Sequence, residues 1–251
     1  MREGIELIET VRVIEIHIDR ADKKNSLTGN MYRTMTAALA DASSRADIDV
    51  VLIAGKGDIF CAGNDLQDFL SGSEGGEAAF AFVRALAAFD KPIVAAVQGM
   101  AVGVGTTMLF HCDLVYATPG TRLLMPFVSL GLPPEAGASL LGPAILGYTK
   151  AAAILLLGEP LQAEHAERAG LVTAIVPADD LLAHARAKAA LLAAQPAAAL
   201  AITRRLMKPD PNVLAARIEE EARLFKELMQ STDAVEAFTA FIEKRKPVFR
   251  K

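Results

Sequence analysis

The sequence predicts an α/β fold that ends in a helical region. Short runs rich in β-branched residues alternate with stretches of helical periodicity up to about residue 176. Beyond that point only helical periodicity remains. In the middle, Ile93 to Phe110 carries no charged residue. Eighteen residues only just reach the length of a membrane span, and the glycines, Gln98 and two threonines inside the run argue for a globular interior. The expected division is a core domain over 1–195 and a helical region over 196–251.

Taken in order, Ile14, Ile16 and Ile18 alternate with Glu15, His17 and Asp19, the pattern of a half-buried strand, paired in a hairpin with Gly4–Glu9. His17 falls on the polar face and is expected to be solvated. Lys23, Lys24 and Asn25 form a polar connection. Thr28 is positioned as an N-cap for a helix over Thr28–Ser44, with Met31, Met35, Leu39 and Ala42 on one face. Asp49–Ala54 is a short buried strand. The small residues Ala62 and Gly63 then lead into a helix start at Asn64, Asp65 and Leu66. Ser71–Glu77 reads as a mobile glycine-rich loop, and Glu77–Asp90 as a helix. Ile93–Val97 is a fully buried strand. Gly99, Gly103 and Gly105 follow it, then a helix start over Thr106–Phe110. Asp113–Ala117 is a strand with a turn at Pro119–Gly120. Later helices are predicted over Thr149–Gly158, Leu161–Gly170, Asp179–Ala194, Pro196–Met207, Val213–Gln230 and Asp233–Lys246, with a strand over Leu171–Val176.

Composition excludes several classes. A net charge of -4 carries no nucleic-acid footprint. Glu3, Glu6 and Glu9 leave no apolar stretch for a signal peptide. Cys61 and Cys112 lack paired spacing, which points to reduced thiols and a cytoplasmic location. His17, His111, His165 and His184 have no metal-ligand spacing.

Two places suggest chemistry. At Ala62–Leu66 and again at Gly99–Phe110, a strand leads through small residues into a helix, a geometry that aims free backbone N–H groups at an anion. Glu135 is the only acidic residue between Asp113 and Glu159, set in apolar company after Pro133-Pro134. A carboxyl in such surroundings has a raised pKa and suits proton transfer. Equally, it could sit in the first turn of the next helix and meet its dipole.

The segments KKNSLT, IFCAGNDLQDF, KPIVAAVQGMAVGVG, CDLVYA, LGLPPEAGAS, ERAGLV and FIEKRKPVF, in this order, resemble the crotonase family, the enoyl-CoA hydratase/isomerase superfamily. The resemblance implies a crotonase-like right-handed spiral of ββα units with a C-terminal helical region for trimer contacts. It implies an acyl-CoA thioester substrate, no separate cofactor, and a homotrimer or a hexamer built as a dimer of trimers. The oxyanion hole would use the backbone N–H groups of Asn64 and Val104, framed by Ala62, Gly63, Asp65, Leu66 and Gly103. Lys23 or Lys24 would meet CoA phosphates, unless they form only a solvated loop. Phe241 and Lys244 would meet the nucleotide end, unless Phe241 belongs to the helix core. Enoyl-CoA hydratases of the family carry two glutamates where this chain has Thr107 and Phe127. One subgroup, the peroxisomal-type Δ3,Δ2-enoyl-CoA isomerases, lacks both and carries its acid in a PEG-S segment. PPEAGAS is similar to that segment, with Ala136 in place of its first glycine, so the resemblance implies Glu135 as the single acid/base. Hydratase-type, dehalogenase-type or non-catalytic acyl-CoA binding are the alternatives.

Overall fold

The computed structural model describes residues 4–70 and 73–249. Nine strands are assigned among them: β1 (Ile5–Thr10), β2 (Val13–Ile18), β3 (Val50–Gly55), β4 (Ile93–Val97), β5 (Met100–Val102), β6 (Leu114–Ala117), β7 (Arg122–Leu124), β8 (Leu161–Gln162) and β9 (Ala174–Ile175). The helices are α1 (Gly29–Ser44), α2 (Leu66–Leu70), α3 (Ser73–Ala88), α4 (Val104–Thr107), α5 (Ala138–Leu146), α6 (Tyr148–Leu157), α7 (Ala163–Ala169), α8 (Leu181–Ala193), α9 (Ala197–Met207), α10 (Pro211–Leu228) and α11 (Thr232–Ile242).

A six-stranded sheet runs β1-β2-β3-β4-β6-β9, with only the β1–β2 hairpin antiparallel. A second sheet, β5-β7-β8, lies beside it. The large sheet is covered on both faces. Ile14, Ile16, Ile18, Val51, Ile53, Ala95 and Val97 pack toward α1 and α3. Val13, Val50, Leu52, Val94 and Ala96 pack under α8 through Leu181, Ala185 and Ala189. Burial on both faces is why β3 and β4 read as continuous apolar runs.

It also corrects the reading of β2. The alternation is present, but its polar face lies under α8, so Glu15 is 1% and His17 4% exposed rather than solvated. His17 Nε2 is 2.6 Å from Glu15 Oε2, and Arg186 of α8 donates two hydrogen bonds to the same carboxylate. Burial pushes Glu15 up, but the hydrogen bonds from His17 and Arg186 outweigh it and hold it down at about 2.

Other boundaries move. The N-cap of α1 is Thr28, whose side chain accepts from Met31 N–H, as its sequence position predicts. Residues 73–77 belong to α3 instead of a loop, while 71–72 lie outside the described residues. The segment 161–170 splits into β8 and α7, because Leu161 pairs with Leu123 of β7. Only Ala174–Ile175 of 171–176 joins the sheet. The last helix stops at Ile242 rather than Lys246, and Lys244 takes a left-handed φ of 55°. Among the described residues no helix is long and apolar enough to cross a membrane.

The C-terminal helices reach back onto the core. α10 packs on α3 and α5, and α11 on the 3-10 turn Val128–Leu130. α9 buries no side chain and is tied down by Arg204, which donates to Asp113 and to the Phe89 carbonyl.

Candidate active site

The two strand-to-helix turns are stitched together. Cys61 N–H donates to the Met100 carbonyl at 3.2 Å, and Val102 N–H to the Cys61 carbonyl at 2.9 Å. Gly63, at φ 89°, sits so close to β5 that a Cβ there would lie 2.9 Å from the Val102 carbonyl oxygen, which only glycine tolerates. Leu27 closes the other side: its N–H donates to the Gly63 carbonyl and its carbonyl accepts from Asp65 N–H, each at 2.8 Å. Among the described residues no group accepts from the N–H of Asn64 or of Val104. Gly103, at φ 54° and ψ −122°, turns the chain into α4 so that Val104 is its first residue and its N–H is free by helix geometry. The helix thus begins two residues earlier than its sequence pattern suggests, and continues as a 3-10 turn over Met108–His111.

The Asn64 side chain is fixed as well. Its Oδ1 accepts from the hydroxyl of Tyr32, a fully buried α1 residue that tilts against Phe82 at 5.6 Å between ring centroids. Tyr32 gave no signal in the sequence beyond its place on the apolar face of α1.

Glu135 lies three residues before α5, not in its first turn, and is only 8% exposed. Thr107 Oγ1, at the last residue of α4, donates to Glu135 Oε1 at 2.5 Å. One four-residue helix therefore presents the free Val104 N–H at its start and tethers the lone carboxyl at its end. Phe127, the other position without a carboxylate, is buried core. Burial pushes Glu135 up to about 8. The Thr107 hydrogen bond works against this shift and the charge of Glu221 adds to it.

The turn after Glu135 is held from outside. Ala136 and Gly137 take left-handed φ values of 60° and 72°. A carbonyl can only accept, so His111 Nε2–H donates to the Ala136 carbonyl at 2.8 Å. Burial lowers His111 to about 4, against the effect of that bond, so it stays neutral. Glu221 Oε2 accepts from Gly137 N–H at 2.6 Å, and Oε1 from Ser139 N–H at 2.9 Å and Ser139 Oγ at 2.5 Å. Sequence reasoning passed over both His111 and Glu221.

The remaining candidates divide. Lys23 and Lys24 are exposed, and the loop that carries them is anchored by buried Asn25, whose amide donates to the Lys56 and Ile59 carbonyls. Ala62 N–H donates to the Lys24 carbonyl at 3.1 Å, which seats that loop beside the first turn. Asp65 is occupied structurally: it accepts from Arg20 at 2.6 Å and caps α2 at Gln67 and Asp68. Leu66 begins α2 and packs on the core. Phe241 is 62% exposed on α11 rather than part of its core, and Lys244 follows beyond the helix end. Among the described residues no group of three His, Cys, Asp or Glu is arranged to hold a metal, and both cysteines are free thiols.

A family model described as enoyl-CoA hydratase/isomerase matches residues 9–251. A protein of Rhodobacter capsulatus named as a probable enoyl-CoA hydratase is 36% identical over 242 residues, 93% of each chain. Enoyl-CoA delta isomerase 2 of Rattus norvegicus is 34% identical over 254 residues, 98% of this chain and 64% of the rat protein. Among solved structures, an enoyl-CoA hydratase/isomerase from Pseudoalteromonas atlantica matches with a TM-score of 0.94 and 36% identity, covering 99% of this chain and 100% of that one.

Proposed function

The chain belongs to the enoyl-CoA hydratase/isomerase family, with the crotonase fold, and from that premise we propose that it is a Δ3,Δ2-enoyl-CoA isomerase. Glu135 takes a proton from C2 of a 3-enoyl-CoA and returns it to C4. The electron pair moves onto the thioester oxygen as a dienolate, then back to form the conjugated 2-enoyl thioester. The N–H groups of Asn64 and Val104 receive the oxyanion, each contributing roughly 3–4 kcal/mol where the charge develops. A 1,3-proton shift needs one carboxylate, because the same group gives back what it took. Hydration needs an acid and a base on one water, and Thr107 and Phe127 supply neither.

The observation that carries this reading is the isolation of Glu135. It is a buried carboxyl with a pKa near 8, tethered by Thr107 to the helix whose first N–H is free. Glu221, the carboxylate whose charge it feels, is committed to backbone and hydroxyl donors and is not free to orient a water. The coenzyme A moiety arrives as part of the substrate and no other cofactor takes part. Lys23 and Lys24 at the Ala62 turn are assigned to its phosphates, and Phe241 and Lys244 to its nucleotide end from a neighbouring subunit.

A paired assay tests the activity. With a 3-enoyl-CoA, absorbance of the conjugated thioester should rise; with crotonyl-CoA, it should stay constant. Loss of absorbance from crotonyl-CoA, the hydratase outcome that the name of the Rhodobacter relative raises, would overturn the reading. A homotrimer or a dimer of trimers is proposed alongside. It is supported by the exposed Ile202, Leu206 and Met207 of α9, 50%, 76% and 80% accessible in the single chain. Light scattering should give three or six times the 26.6 kDa chain mass, and a monomeric mass would refute it.

A further inference from the structure

The turn that follows Glu135 is an unfavourable one. Ala136 is a non-glycine residue at φ 60°, which costs about 1–2 kcal/mol unless its surroundings impose it. Two buried groups from other elements do so. His111 grips the Ala136 carbonyl. Glu221, 4% exposed on α10, takes three donors at the start of α5: Gly137 N–H, Ser139 N–H and Ser139 Oγ. Arg217, one turn earlier on α10, donates to Ser139 Oγ at 3.1 Å and closes the network. A buried carboxylate is an expensive way to cap a helix start.

We propose that Glu221 is a positioning residue for the isomerisation: from the C-terminal helix α10 it clamps the Ala136–Ser139 turn, fixes the direction of Glu135, and sets a second carboxylate near it. This rests on the isomerase reading for its catalytic part. The clamp fixes Glu135 because only the Glu135–Ala136 linkage separates the carboxyl-bearing residue from the fixed turn. The charge acts because Glu221 is the one charged group that bears on Glu135, whose direct partner, Thr107 of α4, is a neutral donor; His111, which holds the next residue of the turn, is neutral as well. Arg217 faces Ser139 and its own Glu220.

The test compares wild type with Glu221→Gln and Ser139→Ala. Glu221→Gln keeps the shape, removes the charge and turns one acceptor into a donor. It should lower kcat by roughly 10- to 100-fold, the cost of a displacement of about 1 Å, with KM within about threefold. The acidic limb of its pH profile should fall by about one unit, the scale of a neighbouring carboxylate. Ser139→Ala, which removes one of the three donors, should lower kcat by about threefold to tenfold and leave the limb in place; it stands in if Glu221→Gln does not fold. Unchanged kcat and limb in a folded Glu221→Gln, or unchanged kcat in Ser139→Ala where only that variant folds, overturns the proposal. A readout without substrate separates this from failure of the isomerase reading. The pH at which the widening gap between the melting temperatures of wild type and Glu135→Gln levels off reports the titration of Glu135 in the fold. With Glu221 replaced in both partners, that pH should drop by about one unit. No drop refutes the charge effect even if the enzyme proves to have another substrate.

Discussion

Glu135→Gln should abolish conjugation of 3-enoyl-CoA, with kcat falling at least about 10³-fold, while CoA-ester binding stays within a few-fold. Gln keeps the shape and can still accept from Thr107 Oγ1, so the loss isolates the proton-transfer function. Retained turnover would remove Glu135 from the mechanism. The raised pKa makes two further results follow. With a value near 8, only about a tenth of Glu135 is ionised at pH 7 in the free protein. Because the base must be ionised to accept the C2 proton, kcat/KM should rise with pH through about 8 and level off above it. Stability runs the other way. The folded value lies above the ordinary 4.5, so the neutral carboxyl is favoured in the fold. That contribution is fully present below about pH 4.5 and is lost as pH rises through about 8. Glu135→Gln, which never ionises, should therefore melt with wild type at pH 4 and well above it at pH 9. The expected difference is on the order of 5 kcal/mol. A variant that is inactive yet more stable at high pH is the signature of a group kept for function at a cost to the fold.

How much of this was readable in the sequence depends on whether the cause was local. Ile93–Val97 declared itself because both faces are buried, and Thr28 because a cap is a property of its own turn. Glu135 stood out because nothing near it is charged. β5 and β7 could not be read: each is three residues long and is a strand only through its pairing, β5 with β7 and β7 with both β5 and β8. His17 was misplaced because alternation reports two faces and not what covers them, and α8 lies about 170 residues away in the chain. Glu221 was hidden in the run Glu219-Glu220-Glu221, which looks like a solvated face. The signal was there in the spacing. Leu214, Ile218, Ala222 and Phe225 form the buried stripe of α10, and Glu221 falls on it. A carboxylate inside an apolar stripe points to a buried partner.

The oxyanion assignment is open to an equally sharp test at Val104. The donor is a main-chain N–H, so an ordinary side-chain change does not reach it: Val104→Ala should keep kcat within a few-fold. Val104→Pro removes the N–H itself. Proline is usually a damaging choice inside a helix, but Val104 is the first residue of α4. At that position the fixed φ of proline suits the helix and its missing donor forfeits no internal hydrogen bond. The preceding residue is Gly103, which has no Cβ to clash with the proline ring. The substitution should therefore leave the fold intact, including the Cys61 to β5 bonds that join the two turns. If the thioester oxygen develops its charge between Asn64 and Val104, loss of one of two preorganised donors should lower kcat by about 10²–10³-fold, or roughly 3–4 kcal/mol. KM should move much less, because the ground-state carbonyl is a weaker acceptor than the dienolate oxygen. A folded Val104→Pro with kcat near wild type would mean that the oxyanion lies elsewhere. Glu135 would then be acting on a substrate held in a different direction across the site.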